Sequence, residues 1–113
     1  MPGKRNPLNL NALQLKTLTL LQELARSPDH ATALGDGGVG VSGMPHAHGD
    51  HFHVGGALVM ARDATGLSNP GAWAALERKG LIKSQFPHAA VLTPAGLAYD
   101  TGLADVILHR GGH

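Results

Sequence analysis

The residues best suited to chemistry form a histidine cluster between positions 46 and 53. Four of the eight histidines of the chain fall there: His46, His48, His51 and His53. The dipeptide Gly49-Asp50 separates the two inner histidines, and glycine at the first position of a two-residue turn is typical of a type II′ β-hairpin. We therefore expect a hairpin in which His48 lies opposite His51 and His46 lies opposite His53.

The two faces of this expected hairpin differ in character. Side chains alternate between the faces of a strand, so all four imidazoles share one face, and the other face carries the apolar set Pro45, Ala47, Phe52 and Val54. Cross-strand neighbours have Cβ atoms about 4.5–5.5 Å apart, and imidazole nitrogen binds zinc, copper and nickel. The pattern predicts a divalent metal site at His46, His48, His51 and His53. The alternative interpretation is a solvated histidine strip, or rings stacked on a neighbouring helix.

The cluster also invites a hydrolase interpretation. The run His46-x-His48-x-Asp50-His51 resembles the HxHxDH signature of the metallo-β-lactamase family. That resemblance covers six residues and implies two metal ions and a hydrolytic reaction. The family's two-sheet sandwich needs further ligands from a much longer chain than 113 residues. We therefore expect no enzymatic activity, and a metal-dependent hydrolase is kept as the minor alternative.

Composition favours one small soluble domain. The chain has 42% hydrophobic but only 4% aromatic residues, so its core must be built from Leu, Ala and Val. It has no cysteine, which excludes a disulfide framework and a thiolate metal site. Neither a membrane span nor a signal peptide is predicted, and the expected location is cytoplasmic. The net charge of +1 is low for a protein that binds nucleic acid.

The first half of the chain predicts one helix and a long connection. Residues 1–9 are expected to form a flexible basic arm. Asn11 with Gln14 three residues later forms a capping-box pattern, and the helix should end before Ser27-Pro28. Its polar face is expected to carry Lys16, Thr19, Glu23 and Arg26. Residues 29–40 are glycine-rich and predict a loop, and residues 57–64 after the hairpin suit a helix.

The second half predicts two helices around a strand pair. Asn69-Pro70 is a cap followed by the favoured first helical residue, and Gly80 should end this helix at about Lys79. Strands are expected at residues 82–86 and 89–92. A last helix should then run over residues 94–110, with an apolar stripe at Leu103, Val106, Ile107 and Leu108. That stripe predicts a homodimer, or else a helix folded back on the first helix of its own chain.

Two segments in this half resemble the winged helix-turn-helix domain of the MarR and PadR groups. They are Trp73-Ala74-Ala75-Leu76-Glu77-Arg78-Lys79-Gly80-Leu81-Ile82-Lys83 and Val91-Leu92-Thr93-Pro94-Ala95-Gly96. The resemblance implies an α+β winged helix-turn-helix fold over residues 1–113. The His-rich β-hairpin expected at residues 40–58, between the first and second helices, departs from the family's pattern, which usually has a single short strand there. The resemblance also implies a homodimeric transcriptional regulator on double-stranded DNA. Candidate DNA-binding residues are Asn69, Arg78, Lys79, Lys83 and His88.

The sequence departs from that pattern in the helix that should read DNA. This helix opens Asn69-Pro70-Gly71-Ala72, whereas base readout requires Arg, Lys, Asn or Gln side chains. Asn69 suits its own N-cap as well as a base, and His88 suits a solvated tip as well as a phosphate. The leading hypothesis is a small DNA-binding transcriptional regulator that responds to a metal or to another ligand. The alternatives are a winged-helix protein-interaction module without specific DNA binding and a His-coordinated metal-binding protein.

Overall fold

The fold is of the α+β class. The structure, a computed structural model, describes residues 6–110 apart from the side chain of His48. Within that range the chain forms four α-helices and two four-stranded antiparallel sheets. The helices are α1 (Ala12–Ala25), α2 (Pro70–Arg78), α3 (Pro94–Ala98) and α4 (Ala104–Ile107). The strands are β1 (Ala31–Ala33), β2 (Val39–Ser42), β3 (Ala47–His48), β4 (His51–Val54), β5 (Ala57–Met60), β6 (Ile82–Gln85), β7 (Ala89–Leu92) and β8 (His109–Arg110).

The first sheet has the strand order β1-β2-β7-β6. The β6–β7 hairpin agrees with the prediction for residues 82–92, and β2 joins it through pairs such as Val41 opposite Ala90. The expected loop at residues 29–40 is wrong, because this segment contains β1 and the start of β2. The alternation of apolar and polar residues that marks a strand is weak there. Gly40 is a paired residue within β2, so only Val39 and Val41 are apolar.

Helix α1 lies at the centre of the molecule and contacts both sheets. Its capping box forms as predicted: Gln14 N–H donates to the Asn11 side chain, and Asn11 N–H donates to the Gln14 side chain. The expected polar face is wrong at Thr19 and Glu23, because both are buried. The second sheet and the C-terminal segment cover this side of the helix, and their own polar groups satisfy the two side chains.

The core agrees with the leucine-rich expectation. Most of the predicted core is buried, namely Leu20, Leu21, Leu24, Trp73, Leu76 and Leu81. Leu13 and Val91 are only partly buried. The Trp73 indole donates to the Gly66 carbonyl at 3.0 Å and meets the Phe86 ring edge to face, with centroids 5.2 Å apart. Its polar atom is therefore paired inside the core, as a buried indole requires.

Helix α2 begins and ends as the sequence predicts. Asn69 is its N-cap and accepts from Ala72 N–H at 3.1 Å, with Pro70 as the first helical residue. At the other end Gly80 N–H donates to Glu77 and Leu81 N–H donates to Leu76. These two bonds form a Schellman motif. The strand β6 follows directly, so the end of α2 sets the start of the β6–β7 hairpin.

The second sheet has the strand order β3-β4-β5-β8. The helix expected at residues 57–64 is wrong, because residues 57–60 form β5 and only Ala61–Asp63 form a short 3-10 helix. The histidine hairpin is therefore not a separate two-stranded unit. It is the edge of a four-stranded sheet, and β3 is the edge strand, where a preceding proline is tolerated.

The C-terminal segment is not the single helix expected over residues 94–110. It is broken into α3 and α4 and then joins the second sheet as β8. Tertiary hydrogen bonds stabilise the segment between α3 and α4: the Tyr99 hydroxyl donates to Asn6 Oδ1 at 2.7 Å, and Thr101 Oγ1 bonds Thr19 Oγ1 at 2.6 Å. Within the expected apolar stripe Ile107 and Leu108 are buried in their own chain, Leu103 is partly buried and Val106 is 61% exposed. The homodimer stays a prediction, and most of this stripe no longer supports it.

The expected N-terminal arm divides in two. Residues 1–5 lie outside the described range, whereas the chain from Asn6 onward is tied to the body of the protein. Leu8 N–H donates to the Tyr99 hydroxyl, and Asn6 bonds Leu10 through both its amide and its carbonyl oxygen. Among the described residues, no helix has the length and apolar character needed to cross a membrane.

Candidate metal-binding face

The turn of the histidine hairpin has the predicted position. Gly49 has φ 67°, which glycine adopts without strain and which the first position of a type II′ turn requires. The flanking pairs are Ala47 opposite Phe52 and His48 opposite His51, so the inner pair agrees with the sequence expectation. Beyond the turn, Ala61 N–H donates to the Asp50 carbonyl at 2.7 Å and fixes the end of β5 beside it.

The second sheet has a buried face and an outer face. Val54, Ala57 and Val59 lie in the core, whereas their strand neighbours His53 and Leu58 are exposed or partly buried. Residues that pair directly across an antiparallel ladder belong to the same face. The outer face is therefore defined by His51, His53, Leu58, Met60 and His109, with His48 at the register position opposite His51.

Two of the predicted ligands lie side by side on this face. The His51 and His53 ring centroids are 5.1 Å apart, with an interplanar angle of 85°. The Asp50 carboxylate lies 3.6 Å from His51 Nδ1, which is too far for a hydrogen bond. Among the side chains that the structure describes, no three His, Cys, Asp or Glu groups stand close enough to hold a metal ion.

His46 lies away from the other predicted ligands. It precedes β3, its side chain is exposed, and it has no pair in the described ladder. It lines a cavity of about 600 Å³ together with Met44 and His88, between the start of the hairpin and the tip of the β6–β7 hairpin. Its predicted partner His53 instead lines a cavity of about 240 Å³ with Leu58 and His109.

Sequence reasoning missed Met60 and His109 on the outer face. Met60 lies directly opposite His51, and His109 lies opposite Leu58, which in turn lies opposite His53. The segment Ala57-Leu58-Val59-Met60 is apolar throughout, so it has no period that separates a strand from a buried helix. His109 comes from β8, 56 positions after His53, and only the fold brings the two together.

The predicted DNA-binding residues are distributed over α2 and the β6–β7 hairpin. Asn69 is engaged in its own N-cap, and Lys79 donates from Nζ to the Leu8 carbonyl at 2.8 Å. Arg78 is exposed at the end of α2, Lys83 is exposed on β6, and His88 is exposed at the hairpin tip. The exposed positions in the first two turns of α2 are Pro70, Gly71, Ala74 and Glu77. None of these four carries an Arg, Lys, Asn or Gln side chain for base readout.

An ion pair between Arg110 and the buried Glu23 attaches the last strand of the outer face to α1. Arg110 donates from both terminal nitrogens to the two Glu23 oxygens, each at 2.8 Å. This bidentate bond holds the pKa of the Glu23 carboxyl below its ordinary value, against the opposing effect of burial. The same pairing raises the pKa of the Arg110 guanidinium. Because Arg110 bonds Glu23 on the buried face of the sheet, the adjacent residue His109 is held on the outer face.

Comparisons with known proteins identify no relative. No family model matches the chain, and neither the curated proteins nor the solved structures contain a match.

Proposed function

We propose that the protein binds a transition metal ion on the outer face of its second sheet, through His48, His51 and His53. The observation that carries this proposal is the register of the hairpin. His48 pairs directly with His51, and His53 follows two residues later on the same strand with its ring 5.1 Å from that of His51. Three adjacent positions on one face thus bear the side chain that zinc, copper and nickel accept in common.

The side chains around the hairpin turn suit metal binding with the backbone as it stands. His53 is exposed and His51 is partly buried, so solvent reaches both residues. Asp50 is 88% exposed beside His51, where its carboxylate can accept from Nδ1–H after a small rotation and orient the ring for ligation through Nε2. A fourth ligand would come from water, because His46 lines a different cavity from His53. Three imidazoles and a water leave an open position, whereas four close the site.

Paramagnetic broadening by Ni²⁺ in amide NMR spectra tests where the metal binds. Untagged protein should lose amide signals at residues 48–53 first, and signals on the β6–β7 hairpin should persist. The double variant His48→Ala/His51→Ala should lose this pattern. The control His88→Ala removes an exposed histidine outside the outer face and should leave it unchanged. Broadening centred on His88, or identical in the wild type and the double variant, would overturn the proposal.

A second candidate function is DNA binding by a winged-helix arrangement, with metal binding as its signal. The supporting observation is topological: α1 and β2 precede α2, and β2 pairs with β7 of the hairpin that follows α2. The resemblance to winged-helix regulators implies these elements in this order, together with a helix at residues 57–64 that is a strand and a short 3-10 helix in the structure. Because α2 exposes small residues and Glu77, contacts would be mainly to phosphates, from Arg78, Lys83 and protonated His88.

Salt dependence separates this candidate from a protein-interaction module. Binding of a fluorescent duplex should weaken linearly in log affinity against log salt, because phosphate contacts release counterions. The variant Arg78→Ala/Lys83→Ala should reduce the magnitude of that slope by about 2, which corresponds to the loss of about two phosphate contacts. An undetectable affinity at low salt would remove DNA binding and leave the interaction module as the second candidate.

A further inference from the structure

Met60 lies directly opposite His51 in the β4–β5 ladder. His48 pairs with His51 from the other side. One row of the outer face therefore crosses three neighbouring strands in the order His48, His51, Met60. This row puts a methionine directly beside His51, one of the residues already assigned to the metal.

The position of Met60 is well defined by the backbone around it. Its neighbour Val59 is buried on the opposite face, and the hydrogen bond from Ala61 N–H to the Asp50 carbonyl closes the ladder next to the His51–Met60 pair. Directly opposed residues have Cβ atoms about 4.5–5.5 Å apart. Methionine has three rotatable side-chain bonds, and Met60 is only partly buried, so its sulfur can reach a metal held by His51.

We infer that Met60 is a ligand of the proposed metal site and that the site prefers monovalent copper to zinc. This inference rests on the proposed metal-binding function and adds the identity of the metal. A thioether is a soft ligand that selects Cu(I), whereas zinc takes imidazole, thiolate and carboxylate. The chain has no cysteine, so its soft ligands are methionines. Of the two methionines in the described residues, Met44 lines a different cavity and Met60 is on the outer face.

Anaerobic competition against a Cu(I)-specific chelator tests the inference, with zinc affinity measured in parallel on the same proteins. The variant Met60→Leu keeps nearly the same volume and should remain folded. It should lower Cu(I) affinity by about tenfold or more, a factor equal to 1.4 kcal/mol, and leave zinc affinity within about threefold. The matched control Met44→Leu should change neither affinity. X-ray absorption of the Cu(I)-loaded wild type should detect a sulfur bound to copper, and Met60→Leu should lose it.

The outcomes separate this inference from the proposed function. If the wild type binds zinc but Met60→Leu binds Cu(I) as tightly as the wild type, or no sulfur is bound to copper, Met60 is not a ligand and the histidine site stands. If the wild type binds zinc more tightly than Cu(I), the stated preference is wrong. If the wild type binds neither ion, the metal-binding function fails together with the inference. Circular dichroism of each variant excludes unfolding as the cause of lost binding.

Discussion

The guanidinium of Arg110 donates two hydrogen bonds of 2.8 Å to the carboxylate of Glu23, joining the last described strand to the central helix. Glu23 is 5% exposed, whereas the Arg110 side chain is 54% exposed. The carboxylate is thus enclosed by the fold, and the cation covers it from the solvent side. Because Arg110 and His109 are neighbours in β8, this ion pair also holds one edge of the outer face in place.

Removing the cation should destabilise the protein. Arg110→Gln leaves the Glu23 carboxylate buried without its bidentate partner. We expect a loss of about 1–2 kcal/mol, in the lower part of the range for charged hydrogen bonds because Arg110 is half exposed. Urea unfolding at pH 7 measures it. The control Arg62→Gln removes an exposed cation on the 3-10 helix and should change stability by less than about 0.5 kcal/mol. Equal stability of Arg110→Gln and the wild type would contradict this role.

The same pair should make stability depend on acid pH. The pKa of Glu23 is lower in the folded chain than in the unfolded chain, where glutamate titrates near its ordinary value of about 4.3. Its contribution is therefore fully present above that pH and is lost as the pH falls through the folded pKa. We expect the stability difference between the wild type and Glu23→Gln to be largest near pH 7 and to shrink below about pH 4. A constant difference from pH 7 to pH 3 would show that the ion pair does not set this pKa.

Gly96 should be irreplaceable in the α3 segment. A Cβ at this position would overlap the Leu81 backbone carbonyl, which already accepts from Thr93. Backbone cannot move aside as a side-chain end can, so Gly96→Ala should cost about 3 kcal/mol, the upper end of the usual range for overpacking. Thermal unfolding measures this loss. Gly56→Ala is the control, because nothing lies within 4 Å of a Cβ there. Similar melting temperatures for the two variants would refute the close packing of α3 on Leu81.

Local signals predicted the parts of the fold that are fixed by neighbouring residues. The capping box at Asn11 and Gln14, the cap at Asn69 and the glycine end of α2 all form, since each depends on hydrogen bonds within one helix end. The pairing of His48 with His51 formed for the same reason, because a two-residue turn sets the register. In the candidate site, the sequence therefore predicted the turn and the inner histidine pair.

Long-range pairing determined what the sequence did not predict. β5 lies between β4 and β8, so an apolar run that suits a helix in isolation is a strand here. Glu23 and Thr19 have polar side chains, yet Arg110 and Thr101 satisfy them in the interior. His109 joins the outer face only through β8, whereas Met60 pairs with His51 across the local β4–β5 hairpin. A hydrophobic pattern that repeats every 3.6 or 2 residues predicts a helix or a strand, but it contains no information about partners that are 50 or more positions away.

Calorimetric titration of zinc into untagged protein at pH 7.5 and pH 5.5 tests the metal-binding face most directly. Only unprotonated imidazole binds a metal, and free histidine side chains titrate near pH 6.5. We expect one zinc ion bound at pH 7.5, much weaker binding at pH 5.5, and no binding by a folded His48→Ala/His51→Ala variant, with His88→Ala as the unchanged control. No heat of binding at pH 7.5, or identical binding by the double variant, would contradict it.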